Sequence, residues 1–253
     1  MNEALAVIRS AGMRDIIASA RALIFDVDGT LAETEEVHRR AFNEAFAEAG
    51  LDWFWDQVTY ARLLRVAGGK ERIRAFDQRN AVPMLTFAEI ADLHRIKTAR
   101  YAALIASGGC PLRPGVRAWL AGARSRGQRL AIATTTSHGN IDALLSVSLG
   151  LDWADQFEAI VAGDDVPRKK PAPDVYTEVL TRLGLGPGDC VAIEDSGNGL
   201  AAAARAGIPV VITRSTYFSD DDFAEALLVV DDLSDIDARR SLPPAGSSGN
   251  LFR

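Results

Sequence analysis

The sequence predicts an α/β fold in which a parallel sheet forms the core and a helical cap is inserted into it. Three observations lead to this prediction. Short apolar runs rich in β-branched residues recur along the chain, helical segments separate them in the second half, and an uninterrupted helical block follows the first run. Apolar strands that alternate with helices are typical of a parallel sheet covered on both faces.

The first predicted strand lies at 22–30, where the apolar run ALIF leads into DVDGT. A helix is expected from Thr34 to about Gly50, because apolar residues recur there at helical spacing. More helical segments follow up to about residue 107, with no strand-like run among them. They are expected after Leu51, after Lys70 and from Phe87. This block is the predicted cap.

Glycines and prolines between residues 108 and 114 mark a linker, after which strands and helices alternate. The further strands are expected at 129–134, 158–163, 190–195, 209–213 and 227–230. Helices are expected up to about 149, after Pro173 and over 197–206. The predicted organisation is an N-terminal extension at 1–20, a core at 21–35 and 113–241, a cap at 36–112 and a flexible tail at 242–253.

Composition excludes several classes of function. The 253 residues carry a net charge of −6, whereas nucleic-acid binding needs clustered lysines and arginines. No run of about 18 apolar residues is present, so no membrane span is expected. The first twenty residues lack the apolar segment of a secretory signal. Cys110 and Cys190 have no zinc-site spacing and are expected to be reduced thiols. We therefore expect a cytoplasmic protein.

Polar residues follow several of the predicted strands. In a parallel sheet, ligands bind beyond the carboxyl ends of the strands, and all these ends lie at one edge. The residues expected at this edge are Asp26, Asp28, Thr134, Thr135, Lys170, Glu194 and Asp195.

Two acidic pairs at one sheet edge indicate a magnesium site. Asp26 and Asp28 would repel each other and lose solvation, which a divalent cation offsets, and Mg²⁺ prefers hard oxygen ligands. Alone, this pair is equally compatible with turn or cap aspartates. The second acidic pair, Glu194 and Asp195, at the same edge favours a metal site over two unrelated turns. Asp195 is expected to bind directly, and Glu194 either directly or through water.

The same edge offers a nucleophile and groups that stabilise negative charge. One aspartate can attack while the other exchanges protons. Lys170 would neutralise the nucleophile and a transferring phosphoryl group, while the neighbouring Lys169 is expected to make a secondary contact. The run Thr134-Thr135-Thr136-Ser137 precedes a helix and can cradle phosphate, although helix capping would explain one or two of these residues.

These motifs, DVDGT at 26–30, Thr134, Lys170 and Glu194-Asp195, resemble in order the four signatures of the haloacid dehalogenase-like superfamily. The resemblance implies a Rossmannoid core and a magnesium-dependent phosphatase that forms an aspartyl-phosphate. It implies that Asp26 is the nucleophile and Asp28 the general acid and base. The carboxyl at Asp28 speaks against the dehalogenase branch, and the cap position resembles the β-phosphoglucomutase-like subfamily.

Several segments resemble the CbbY group of that subfamily more specifically. They are FDVDGTLAETEEVHRRAFNEAF at 25–46, GGKERI at 68–73, LHRIKTAR at 93–100 and KKPAPDVY at 169–176. Members of this group remove one phosphate from xylulose-1,5-bisphosphate, an inhibitor of Rubisco, the carbon-fixing enzyme of the Calvin cycle. The resemblance extends from about Ala22 to Gly207, and it implies the same sugar bisphosphate as substrate.

A bisphosphate needs a second anion site, which we expect in the cap. Lys70 follows two glycines, so backbone N–H groups and its ammonium can bind phosphate together. For the other candidates a structural role stays open. Such a residue could instead be a charge on a solvated helix surface, order the hinge, be a buried structural histidine, or order a loop. The expected substrate-binding residues are Glu33, His38, Arg39, Lys70, Arg72, Thr135 and Asn198.

Three rival functions share much of this machinery. A phosphomutase would return the phosphoryl group to the sugar, and a phosphoglycolate-type phosphatase would differ only in cap residues. A non-catalytic sensor would bind a phosphosugar without releasing phosphate. In each case the partner is a small molecule, with no nucleic acid and no membrane. Members of the subfamily are often monomeric, so a monomer is expected.

Overall fold

The structure, a computed structural model, describes residues 12–13, 15–79, 85–108 and 110–235. The predicted tail at 242–253 and most of the predicted extension at 1–20 lie outside these ranges. The proposed domain boundaries stay a prediction.

Six parallel strands form one sheet, which confirms the predicted α/β fold. They are β1 (Ala22–Phe25), β2 (Arg129–Ala133), β3 (Ala159–Val161), β4 (Cys190–Glu194), β5 (Val210–Thr213) and β6 (Leu228–Val230). The strand order is β3-β2-β1-β4-β5-β6, so β1 is central. Phe25 of β1 is in register with Ile132 of β2 and Ile193 of β4. The residues that follow these three strands therefore lie side by side.

Besides the helical residues 15–19, eight α-helices have defined bounds within the described ranges. They are α1 (Glu35–Glu48), α2 (Gln57–Leu63), α3 (Gly69–Asp77), α4 (Phe87–Ala106), α5 (Val116–Ser125), α6 (His138–Leu149), α7 (Asp174–Leu183) and α8 (Gly197–Arg205). The sequence analysis assigned no element to 116–125, where α5 lies. Within the described ranges, no helix has both the length and the apolar character that a bilayer crossing requires.

The sheet is buried on both faces because alternate residues of each strand point to opposite sides. Leu23 and Phe25 pack with α5 and α6, whereas Ala22 and Ile24 pack with α7 and α8. All four side chains are fully buried. Burial of a large apolar side chain contributes about 1.5–3 kcal/mol, so these two layers hold the sheet edge in place. Both cysteines are free and buried.

Helices α1 to α4 lie between β1 and β2 in the chain and have an aromatic core of their own. It is built around Phe42, Phe46, Trp55, Tyr60 and Leu63. The base of α1 and the end of α4 instead join the core beneath them through Val37, Ala41, Tyr101 and Ile105. We call α1 to α4 the cap.

The two chain segments that join the cap to the sheet run next to each other. Ala32 and Leu112 form an antiparallel bridge, and the Arg113 N–H donates to the Leu31 carbonyl at 2.8 Å. The buried Arg113 guanidinium donates to the carbonyls of Gly29 and of residues 213, 214 and 231. One arginine thus fixes the loop after β1 to the far half of the sheet.

Candidate active site

The carboxyl edge of the sheet carries the predicted polar groups. Strand β1 is followed by Asp26, β2 by Thr134 and β4 by Asp195. The loop after β3 brings Lys170 to the same edge, where its Nζ lies 2.8 Å from the Ala133 carbonyl oxygen. Four chain segments that are distant in sequence therefore converge at one point.

A cleft of about 850 Å³, including open solvent at its mouth, separates this edge from the cap. The predicted site residues that line it are Asp26, Asp28, His38, Lys70, Arg72, Thr134, Thr135, Lys170, Asp195 and Asn198.

Three buried carboxylates, of Asp26, Glu194 and Asp195, have oxygens within 4.8 Å of one another. Lys170 Nζ donates to Asp26 Oδ1 at 2.6 Å and to Glu194 Oε1 at 2.5 Å. The Tyr176 hydroxyl donates to the same Glu194 oxygen at 2.6 Å. Within the described part of the chain, Asp195 Oδ2 has no hydrogen-bond partner. One ammonium among three carboxylates leaves negative charge for a cation to balance.

Burial controls the protonation of this cluster. It raises the pKa of Asp26 to about 7, and Lys170 offsets part of the increase. Burial, followed by repulsion from Asp26 and Glu194, holds the pKa of Asp195 well above its usual range. Burial opposes the charge on Lys170, but the two carboxylates raise the pKa of its ammonium. An oxygen-only set of donors with one unpartnered oxygen fits a hard divalent cation.

The glycine of DVDGT is required by the turn after β1. Gly29 has a φ of +83°, in the region that only glycine adopts readily. A Cβ atom at this position would overlap the carboxylate of Asp195. The turn can therefore approach the acidic cluster only if residue 29 has no side chain.

Asp28 lies apart from the cluster and faces the cap. Its Oδ1 accepts hydrogen bonds from Thr34 Oγ1 at 2.6 Å and from His38 Nε2 at 3.0 Å. Lys97 Nζ lies 2.7 Å from His38 Nδ1, an arrangement in which Nε2 carries the hydrogen. Burial opposes the ionised form of Asp28, but His38 and Thr34 outweigh it and lower its pKa. Asp28 is thus held as an oriented carboxylate that faces the cleft.

All four residues of the hydroxyl run after β2 line the cleft. Ser137 accepts a hydrogen bond from the Asn140 N–H and caps α6, and Thr136 Oγ1 accepts from the Asn140 side chain at 2.9 Å. Helix capping therefore accounts for one of the four residues, within the one or two that the sequence analysis allowed.

The cap supplies cations to the opposite wall of the cleft. Lys70, at the start of α3, forms an ion pair with Asp164 of the core at 3.1 Å. Arg72 donates to the Tyr60 hydroxyl at 3.2 Å, and its guanidinium lies 5.3 Å from the centre of that ring. The structure thus places two of the three predicted cap cations, Lys70 and Arg72, in the cleft lining.

Two predicted substrate-binding residues lie outside the cleft lining. Arg39 forms an ion pair with Glu36 at 2.9 Å and donates to the Trp55 carbonyl at 3.0 Å. Glu33 lies 3.5 Å from Arg113 at the hinge. The structure therefore supports the structural alternative for both. Glu194 also lies outside the lining, behind Lys170, and its contacts favour the alternative in which it reaches a metal through water.

The sequence analysis missed four residues that line the cleft: Glu35, His94, Lys97 and Asp164. Burial, and then Lys97 and Lys70, lower the pKa of His94 to about 3, so its imidazole is neutral. Burial lowers the pKa of Lys97 to about 7, against the attraction of Asp28. Lys97 lies on the apolar face of α4, among Ile90, Leu93 and Tyr101. A lysine among apolar residues at helical spacing was the signal in the sequence that this position belongs to the site.

Metal binding should depend on pH because Asp26 binds a proton in the cation's place. Its pKa rises from 3.8 to about 7 on folding, so the folded chain holds more protons between these values. This contribution to stability is present below about pH 4 and is lost as pH rises to about 7. Mg²⁺ at 100 times its Kd adds about 2.7 kcal/mol, about 5–10 °C in Tm for a chain of this size.

We therefore expect Mg²⁺ to raise Tm more at pH 8 than at pH 5. Calorimetry with and without Mg²⁺ across this range would measure the difference. Asp195→Asn should remove most of the Mg²⁺ effect. An equal Mg²⁺ effect at pH 5 and pH 8 would contradict the assignment of Asp26 as the competing proton site.

The chain is similar in sequence and fold to known proteins. The family profile of haloacid dehalogenase-like hydrolases matches residues 20–207. The plasmid-encoded CbbY of Cupriavidus necator is 55% identical over 219 residues, which cover 85% of this chain and 86% of that protein. The crystal structure of CbbY from Rhodobacter sphaeroides with phosphate has a TM-score of 0.82 and 47% identity, covering 86% of this chain and 96% of that one. A mutant of that protein in complex with xylulose-(1,5)bisphosphate has a TM-score of 0.82 and 46% identity, with the same coverage.

Proposed function

Because the chain belongs to the haloacid dehalogenase-like hydrolase family and is a phosphatase of the CbbY type, we propose that its substrate is a sugar bisphosphate. The preferred substrate is xylulose-1,5-bisphosphate, which would be hydrolysed to xylulose-5-phosphate and phosphate. The cytoplasmic location and the monomeric state stay predictions.

One observation carries this proposal: the cleft has an acidic cluster at the sheet edge and two cations on the cap wall, which also holds Glu35 and Glu71. The acidic cluster and Lys170 lie at the sheet edge, where a metal and the reacting phosphate fit. Lys70 and Arg72 line the cap wall, and Lys169 and neutral His94 lie beside Lys70, so a second phosphate finds donors there. In this structure Asp164 is the partner of Lys70, and a bound phosphate would replace it.

The proposed reaction begins with attack by Asp26 on phosphorus. Asp26, Asp195 and the Asp28 carbonyl would hold Mg²⁺, which would supply positive charge to the phosphoryl oxygens. Lys170 favours the ionised form of Asp26 against the effect of burial and orients the carboxylate through its 2.6 Å hydrogen bond. Thr134 and Thr135 contact the transferring group from the end of β2, where hydroxyl and N–H donors stabilise its charge.

Asp28 transfers the protons in both steps. Its pKa is lowered by His38 and Thr34, against the effect of burial. A phosphate dianion beside it would raise that pKa, because like charges disfavour the ionised carboxylate. Protonated Asp28 gives its proton to the leaving sugar oxygen and then, as a carboxylate, takes one from the water that hydrolyses the aspartyl-phosphate. Thr34 and His38 keep Asp28 oriented throughout.

Phosphate release from a panel of sugar mono- and bisphosphates, with and without Mg²⁺, tests the substrate. We expect preference for xylulose-1,5-bisphosphate over ribulose-1,5-bisphosphate. Lys70→Ala should raise KM for the bisphosphate about 10- to 150-fold, the value of one charged hydrogen bond, and leave KM for monophosphates unchanged. Arg74→Ala is the matched control, because Arg74 lies on the same helix and stacks on exposed Phe87.

The panel also separates the rivals. Equal activity on monophosphates with no effect of Lys70→Ala would contradict the bisphosphate proposal and leave a phosphatase of broad or phosphoglycolate type. Recovery of an isomeric sugar phosphate in place of free phosphate would indicate a mutase. Binding without any release of phosphate would indicate a sensor.

A further inference from the structure

The segment that follows β5 crosses from the core to the cap. The Tyr217 hydroxyl donates to Glu36 of α1, and its ring meets Tyr60 edge-on with centroids 5.8 Å apart. Phe218 is buried in the aromatic core of the cap. A core segment is thus packed against the cap beside the cleft.

Asp221, in the same segment, joins the cap to the acidic cluster with one carboxylate. Its Oδ1 forms an ion pair with Arg65 of the cap at 2.6 Å. Its Oδ2 accepts a hydrogen bond from the N–H of Gly197 at 2.8 Å. Gly197 begins α8, two residues after Asp195, and a Cβ atom there would lie 2.9 Å from Asp221 Oδ2. The Asp221 side chain is only 6% exposed.

We propose that Asp221 is a positioning residue that couples closure of the cap to the shape of the metal-binding loop at 194–197. With the cap closed, Arg65 fixes one carboxylate oxygen and so directs the other towards the Gly197 N–H. When the cap opens, Arg65 leaves with it, and the carboxylate gains rotational freedom. The N–H at the start of α8 then loses its fixed acceptor, and the loop that carries Asp195 loosens.

The location of this ion pair distinguishes it from two other ion pairs that join the cap to the core. Lys70–Asp164 and Lys169–Glu71, at 3.1 and 3.8 Å, lie in the cleft lining, where substrate would compete for them. Neither Arg65 nor Asp221 lines the cleft. Their contact can therefore persist with substrate bound and depends only on the position of the cap. By reciprocity, metal binding favours the closed cap as much as the closed cap favours metal.

Titration calorimetry of Mg²⁺ into the whole chain tests the proposal, which rests on the magnesium site proposed above. Arg65→Met should weaken Mg²⁺ binding about two- to fivefold, the range expected for an exposed ion pair. Simple electrostatics predicts the opposite, because loss of a positive charge near the site favours a cation. The sign of the change therefore decides between the two explanations.

Further variants test whether the effect of Arg65 on Mg²⁺ binding acts through Asp221. Arg65→Lys should restore Kd to near the wild-type value. In an Asp221→Asn background, where the Asn oxygen still accepts from Gly197 but carries no charge, Arg65→Met should cause no further weakening. Arg95→Met is the matched control, because Arg95 is an exposed cap arginine that pairs within its own helix, with Asp92.

Two results would overturn the proposal in different ways. Unchanged or tighter Mg²⁺ binding by Arg65→Met, with normal binding by the wild type, would refute the coupling and leave the magnesium site in place. Absence of Mg²⁺ binding by the wild type would refute the magnesium site and the coupling with it.

Discussion

Replacing Asp26 with asparagine is expected to reduce kcat by at least about a thousandfold, since removal of a nucleophile costs this much or more. The amide has nearly the shape of the carboxylate but cannot attack phosphorus. Lys170 keeps Glu194 and the Ala133 carbonyl as partners. Because burial already disfavours the charge of Asp26, the variant should fold and be at least as stable as the metal-free wild type above pH 7.

Phosphate release and Tm, measured on the same preparation, check both parts of this expectation. Asp92→Asn is a suitable control, because Asp92 is an exposed aspartate on α4. After acid quench, the wild-type peptide that contains Asp26 should carry the mass of one phosphoryl group, and the variant peptide should not. Near-wild-type turnover by Asp26→Asn in Mg²⁺ would show that another group is the nucleophile.

Replacing Lys170 with methionine should abolish activity and also destabilise the fold. The side chain is 5% exposed and is the cation shared by Asp26 and Glu194. Without it, two buried carboxylates lack a partner, which costs about 3–5 kcal/mol. For a chain of this size that is a decrease of about 6–20 °C in Tm. Mg²⁺ or a lower pH should reverse part of the loss, because each neutralises the carboxylates.

The adjacent lysine provides the control for this experiment. Lys169 donates to the Gly163 carbonyl at 2.9 Å and lies 3.8 Å from its nearest carboxylates. Lys169→Met should therefore change KM more than Tm. Equal effects of the two substitutions on Tm would contradict the assignment of Lys170 as the buried counter-ion. Calorimetry of both variants at pH 6 and pH 8 gives the comparison.

The strands and the catalytic edge were predictable because they depend on local pattern. A run such as ALIF followed by DVDGT fixes both the strand and the side of the sheet on which Asp26 lies. Helix α5 was missed although Val116, Trp119, Leu120 and Ala123 have helical spacing. The sequence analysis placed a linker at 108–114 and its next element at 129–134, so this periodicity was left unused.

The cap wall was harder to predict because it depends on tertiary packing. One residue along a helix is a rotation of about 100°, so His38 faces Asp28 while the neighbouring Arg39 faces Trp55. The sequence placed both near the site without separating them. Lys97 reaches His38 only because α4 packs along α1, a contact between residues 59 positions apart. No short motif contains that information.

The bridge between Ala32 and Leu112 has a consequence for how such enzymes diversify. Paired strand segments lie about 5 Å apart, so the whole helical insertion leaves and re-enters the sheet at almost one point. A short turn is enough to close so small a gap, whatever the size of the helical insertion between its two ends. The chain between these two residues can thus be lengthened, shortened or exchanged over generations without displacing a strand. The part of the chain that selects the substrate can then change in evolution independently of the part that carries out the phosphate chemistry.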